Sequence, residues 1–201
     1  MKRIAILCVA LAFVLSAAAF ADTLFLTPPT GNVLGYGGGG TRGDYVTMTG
    51  DFTLSSIGIQ GEIDKGATET FNAYVYNGDG TVQLAVGANM VFTGDGTEQF
   101  YNLPIAYNLL NGQSYDIGID FHSFNDPHWQ VHYYFFDAGS NPPFNVGPFE
   151  VTDGEESHCG ACNVFAPNLE VQGTSIPEPG TFLMLGSGIL GLAGMLRSKL
   201  F

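Results

Sequence analysis

The sequence predicts an all-β protein, an antiparallel β-sandwich or jelly-roll-like domain, and three observations carry that prediction. Gly supplies 28 of the 201 residues, about twice its usual share. Charged residues make up only 12%, about half the globular norm. Between the two ends, short stretches rich in Phe, Tyr, Val, Ile and Thr alternate with Gly, Asn, Asp and Pro, and no useful length holds a helical period.

Taken in order, the strands read as Thr23–Leu26, Tyr45–Ile59 (two strands broken near Gly50), Glu69–Tyr76, Thr81–Val86, Asn89–Thr93, Glu98–Leu103, Ser114–His122, His128–Phe136 and Asn168–Gln172. The clearest alternation sets Tyr115, Ile117, Ile119 and Phe121 toward a core, with Asp116, Gly118, Asp120 and His122 on the other face. The next run divides likewise, Trp129, Val131, Tyr133 and Phe135 against His128, Gln130, His132 and Tyr134. With Ser123 to Pro127 as the loop, these two segments are expected to form a hairpin with His122 opposite His128.

Asn77-Gly78-Asp79-Gly80-Thr81 and Thr93-Gly94-Asp95-Gly96-Thr97 share a Gly-Asp-Gly-Thr core and read as hairpin turns, since Gly and Asp tolerate positive φ. Neither has the spaced carboxylates of a calcium loop. The glycines from Gly37 to Gly40 read as a flexible loop without the strand–helix context of a phosphate-binding loop.

Charge separates the ends from the middle. Of six basic residues only Arg42 and Lys65 lie in the body, whereas all of the 19 acidic residues but Glu178 do. A body this acidic repels phosphate backbones, which excludes nucleic acid as a partner. Acidity also keeps an exported protein soluble.

The N-terminus has the form of a signal peptide. Lys2-Arg3 precedes an apolar run from Ile4 to Phe20, and Ala19-Phe20-Ala21 gives a small-x-small cleavage pattern, so residues 1–21 are expected to be removed. Residues 22–174 then form one β-sandwich domain, long enough to bury a core. Cys159 and Cys162 are the mature cysteines, and an exported pair is expected to form a disulfide.

Residues 175–201 form a tail. Pro177-Glu178-Pro179-Gly180 is followed by an apolar run from Thr181 to Leu196, then by Arg197 and Lys199. The prolines stop the last strand. As a helix the run spans about 24 Å, close to a hydrocarbon core of roughly 30 Å, and the basic end holds the C-terminus cytoplasmic. This order of Pro-Glu-Pro, apolar helix and basic end resembles the PEP-CTERM sorting signal of Gram-negative bacteria. The resemblance implies export, processing near the motif by an exosortase (a membrane-embedded cysteine protease) and association with exopolysaccharide or biofilm matrix. It covers the tail alone. The body resembles, more loosely, the small sandwich modules of exported bacterial proteins, through Phe52–Ile59 and Leu110–Ile119.

Within the body no G-x-S-x-G stands out, and abundant Asp is no sign of a catalytic pair. One polar group concentrates chemistry: Asp120, His122, Asp126, His128 and His132. Of these Asp120, His122 and His128 are the metal candidates. Asp116, Gln130, His132 and Tyr134 offer the aromatic and hydrogen-bonding groups a sugar needs. A plain solvated face explains the same residues. The expectation is therefore a non-catalytic cell-envelope or extracellular-matrix protein without a cofactor, anchored in or sorted at the inner membrane. Its partners would be an exosortase, the membrane and, by the alternative reading, a polysaccharide bound by a carbohydrate-binding module. An extracellular hydrolase is the third reading.

Overall fold

Alternating side chains, inward apolar and outward polar, organise the body into two antiparallel sheets that share one core. The computed structural model describes residues 21–27, 33–37, 40–122, 131–137, 143–156, 165–176 and 188. The expected signal peptide, apolar tail helix, Cys159 and Cys162 lie outside them. Among the described residues the strands are, in chain order, β1 (Asp22–Leu26), β2 (Val33–Gly37), β3 (Gly40–Met48), β4 (Phe52–Ile63), β5 (Thr68–Asn77), β6 (Gln83–Val86) and β7 (Met90–Thr93). There follow β8 (Glu98–Leu109), β9 (Ser114–Phe121), β10 (Val131–Asp137), β11 (Phe144–Val146), β12 (Phe149–Glu156), β13 (Phe165–Pro167) and β14 (Leu169–Ser175).

The first sheet runs β1-β14-β4-β10-β13, with β8 on the free edge of β4 and β2 on β10. The second runs β11-β12-β3-β9-β5-β6, with β7 also on β5. Their inner faces meet through rings: Phe52 of β4 packs edge-on against Phe149 of β12 at 5.0 Å. Phe71 of β5 meets Tyr101 of β8 at 5.7 Å, and Phe121 of β9 meets Tyr133 of β10 at 6.0 Å. Such offset aromatic pairs add to the stabilisation from area burial alone.

The expected hairpin between the ninth and tenth strands does not form. Both edges of β9 are occupied, by β3 and β5, while β10 pairs with β2, β4 and β13 in the other sheet. The alternation did identify the inward residues: Tyr115, Ile117, Ile119, Phe121, Val131 and Tyr133 are all buried, and Phe135 packs against the core. It could not identify the partner, because a period of two is the same whichever strand lies alongside.

Two further expectations are corrected. The glycine run from Gly37 to Gly40 read as a loop contributes its end residues to strands, Gly37 to β2 and Gly40 to β3; Gly38 and Gly39 lie outside the described residues. Gly43 stands opposite Gly118 of β9, which stands opposite Tyr74 of β5. A Cβ at Gly118 would lie 2.6 Å from the Tyr74 hydroxyl, and one at Gly43 2.5 Å from it. The tyrosine thus lies across two glycines on the outward side of the sheet, a recognised way to stabilise glycine in strands. The second Gly-Asp-Gly-Thr segment is also not a hairpin turn. It links β7 of one sheet to β8 of the other, whereas the first does join the paired β5 and β6. Both segments use the same local bonds: the Asp79 carboxylate accepts from Thr81 N at 3.0 Å, and that of Asp95 accepts from Thr97 N at 2.9 Å.

Two charged residues sit on the inward face of β3. Arg42 Nε donates to Tyr133 Oη at 2.8 Å. Asp44 is fully buried, and its carboxylate oxygens have no hydrogen-bond partner. Burial first, and the nearby Asp116 second, push its pKa well above the ordinary carboxylate value, which favours the neutral acid.

Candidate functional site

The outward face of the first sheet gathers aromatic, amide and carboxylate groups from five strands. On β4, Ile57, Ile59 and Ile63 point into the core, which leaves Gly58, Gln60 and Glu62 outward. The same alternation turns Phe25 of β1, Glu170 and Gln172 of β14, Glu98, Phe100 and Asn102 of β8, and His132 and Tyr134 of β10 to that face. Phe25, Glu170, Gly58 and Asn102 form one row across adjacent strands.

Phe25 and Phe100 nevertheless touch, with ring centroids 5.4 Å apart. They belong to the first and fourth strands of that row, so their contact reaches across the two strands between. Gly58 accommodates the Asn102 side chain: a Cβ there would collide with the Asn102 side-chain oxygen at 2.0 Å. Phe25 remains 49% exposed, which is high for an aromatic ring in ring-to-ring contact.

Beside the rings runs an ordered polar network. Asn168 Nδ2 donates to Gln60 Oε1 at 2.9 Å, and Gln60 Nε2 donates to Glu98 Oε1. The Glu98 carboxylate is also the chief cause of the raised Tyr134 pKa. Glu98 stands opposite Glu62, which in turn stands opposite His132. His132 Nε2 lies 3.5 Å from Asp64 Oδ1. On the neighbouring strand, Gln172 Nε2 donates to Glu170 Oε1.

Among the described residues, those singled out by sequence are divided between the two sheets. Asp120 and His122 belong to the second sheet, where His122 Nε2 lies 2.8 Å from Asn72 Oδ1. His132 belongs to the first sheet. Asp126, His128 and Gln130 lie outside the described residues. Asp116 is on the second sheet and fully buried, with Oδ1 against Gly43, so it cannot share a surface with His132 and Tyr134. The metal set and the sugar set both presupposed the hairpin that does not form. Among the described residues no three His, Cys, Asp or Glu side chains are grouped to hold a metal ion.

Of the sugar candidates among the described residues, His132 and Tyr134 share a face. Phe25, Gln60, Glu62, Glu98 and Phe100 were missed. The available signal was an aromatic residue at an outward position in each of two strands, but Leu24 and Leu26 flank Phe25, and Tyr101 follows Phe100, which hides the alternation.

Residues 175–198 match the PEP-CTERM protein-sorting motif. No curated protein matches the chain in sequence. The match covers Pro177, Glu178, Pro179, Gly180 and Arg197 and stops just short of Lys199; all six lie outside the described residues. Among the described residues no helix is long and apolar enough to cross a membrane. The match supports a protein that carries a PEP-CTERM sorting signal, and the signal implies export, membrane association and processing by an exosortase.

Proposed function

We propose that this protein is a non-catalytic component of the cell surface or extracellular matrix that holds carbohydrate on the outward face of its first sheet. The observation that carries the reading is the Phe25–Phe100 pair, two rings in contact at 59° to each other on the outward sheet face, with Phe25 half exposed, beside fixed amides and carboxylates. A pyranose ring presents an apolar face that stacks on aromatic rings and an edge of hydroxyls that needs planar hydrogen-bonding partners. Gln60, Glu98 and Tyr134 supply those partners already oriented by one another, so little ordering cost falls on binding. Sorting by the tail would deliver this face to the compartment where secreted polysaccharide lies.

The hydrolase alternative draws on Glu62 and Glu98, which stand directly opposite on neighbouring strands, at the kind of spacing a carboxylate pair uses. Against it, Glu98 already accepts a bond from Gln60. Retention of the exported protein on a panel of insoluble polysaccharides and a glycan array tests the reading. Wild type should bind, and the Phe25→Ala, Phe100→Ala double variant should not. Absence of binding by wild type overturns the proposal. Turnover that Glu98→Gln abolishes would establish the hydrolase instead.

A further inference from the structure

We infer that the carbohydrate held on the outward face of the first sheet is a polysaccharide bearing free amino groups, whose ammonium groups meet Glu62, Glu98 and Glu170. The inference rests on the carbohydrate reading above and adds to it the charge class of the ligand.

Register places the three carboxylates on either side of the ring pair. Glu170 of β14 stands directly opposite Phe25 and is only 7% exposed. Glu98 precedes Phe100 by two residues on β8, the spacing that returns a side chain to the same face, and it stands opposite Glu62 of β4. Like charges directly opposite on paired strands destabilise a sheet. A carboxylate as buried as Glu170 is costly until a cation meets it. Among the described residues none of the three is ion-paired; the ion pair on this face joins His132 to Asp64. Of the two basic residues in the body, Arg42 is turned to Tyr133, and Lys65 lies in the β4–β5 turn beside Gly96.

Hydrogen-bond accounting has the same sign. Gln60 turns its amide nitrogen to Glu98, Gln172 turns its own to Glu170, and Asn168 turns its own to Gln60. These donors are engaged within the protein, whereas acceptors remain in surplus. Asn168 is fully buried, yet its Oδ1 has no hydrogen-bond partner, so the negative end of its amide dipole is uncompensated within the same network. An ionised carboxylate can only accept, with room for about four bonds, and one glutamine amide does not fill it. An ammonium group brings three donors, no acceptor and a charge, so its bonds to these carboxylates are charge-assisted. A uronate would bring one more carboxylate and meet repulsion.

Reach fits as well. Two residues along β8 separate Phe100 from Glu98 by about 7 Å. A sugar chain stacked on the aromatic pair therefore carries its neighbouring unit over Glu98 and Glu62, with Glu170 beside the unit on Phe25.

Calorimetric titration of the exported protein with three hexasaccharides tests the charge class: a glucosamine hexamer, its fully N-acetylated counterpart and a galacturonate hexamer. The glucosamine hexamer should bind at least about tenfold more tightly than the acetylated one, and the uronate should not bind. The Glu62→Gln, Glu98→Gln double variant should lose most of that preference. Because the whole body is acidic, a charge-matched control is required. Asp51→Asn with Asp79→Asn removes the same charge beyond the start of β4 and the end of β5, at the other end of the strands, and should keep the preference. Equal loss in both double variants would reveal attraction to net charge alone and overturn the inference. Equal or tighter binding of the acetylated or uronate hexamer overturns it too. As a second measurement, the best ligand on the glycan array should carry amines and lose affinity on N-acetylation; a best ligand without amines, or one indifferent to acetylation, counts against the inference while leaving the carbohydrate reading intact. Failure to bind any saccharide overturns that reading instead.

Discussion

Arg42 and Tyr133 join the two sheets: Arg42 Nε on β3 donates to Tyr133 Oη on β10 at 2.8 Å, and the guanidinium carbon lies 5.7 Å from the same ring's centroid. Arg42 Nη1 also donates to the Thr41 carbonyl at 2.8 Å. One of only two basic residues in the body is therefore committed to the interior edge rather than to solvent. A hydrogen bond from a charged donor in partly buried surroundings contributes more than a surface ion pair.

Arg42→Met should accordingly lower the unfolding free energy by about 1.5–3 kcal/mol. Arg42→Lys should recover less than half, since an ammonium cannot reproduce the planar fork. Urea unfolding of the three proteins checks both, and equal stability of the methionine variant would show that the cross-sheet bond is dispensable.

Asp44 gives a pH dependence of opposite sign to the ordinary carboxylate case. Its pKa is raised in the folded state by burial and by Asp116. The unfolded chain therefore loses this proton at a lower pH than the folded chain does. Stability tied to Asp44 is complete below the unfolded pKa and is lost as pH rises toward the raised folded value. Asp44→Asn removes the ionisation at nearly constant shape. It should raise Tm relative to wild type at pH 7 and shrink that difference at pH 3, as followed by thermal unfolding across the range.

The strand pattern was largely legible because burial on one face writes a period of two into each strand. Ile117, Ile119 and Val131 announce their direction locally. Partnership is not written that way: β9 and β10 look like neighbours in sequence yet lie in different sheets. β12 escaped notice because Thr152-Asp153-Gly154-Glu155-Glu156 reads as a solvated loop, although it pairs with β3 through an irregularity between Val151 and Asp153. The aromatic platform was illegible for a stronger reason. Phe25 and Phe100 meet only after β1, β14, β4 and β8 have lined up, and no local window contains both.

Gly94 illustrates a glycine that only the folded structure explains. Gly94 N donates to the Ala67 carbonyl at 2.9 Å, and Gly66 N donates to the Gly94 carbonyl at 2.8 Å. This locks the β7–β8 crossing onto the β4–β5 turn. A Cβ at position 94 would lie 2.2 Å from the Ile63 carbonyl oxygen and 2.4 Å from that of Asp64. Neither is a flexible side-chain end, so backbone must move. Gly94→Ala should cost about 1–3 kcal/mol or more. Gly188 aside, Gly66 and Gly112 have nothing within 4 Å of a new Cβ, so Gly112→Ala should show only the smaller penalty of its positive φ, about 1–2 kcal/mol. Chemical denaturation of the pair checks the order.

The last prediction separates binding from folding on the first sheet's outward face. Phe25 is half exposed and belongs to an edge strand, so Phe25→Ala should reduce stability by no more than about 1 kcal/mol. If its ring forms half of a stacking platform, the same change should weaken glycan binding about tenfold, equivalent to roughly 1.4 kcal/mol. Tyr134→Phe tests the polar half. It removes the hydroxyl whose pKa Glu98 raises and leaves the ring in place, so stacking should survive while the preference among hydroxyl arrangements changes. Tyr74→Phe is the control, because Tyr74 is buried against Gly43 and Gly118 on the other sheet and should leave affinity unaltered. Isothermal titration with the best glycan from the array, run beside thermal unfolding, gives both quantities for each variant. Affinity lost in proportion to stability across all three would mean that the face is structural, whereas loss confined to Phe25→Ala and altered selectivity confined to Tyr134→Phe would identify the platform as the binding surface.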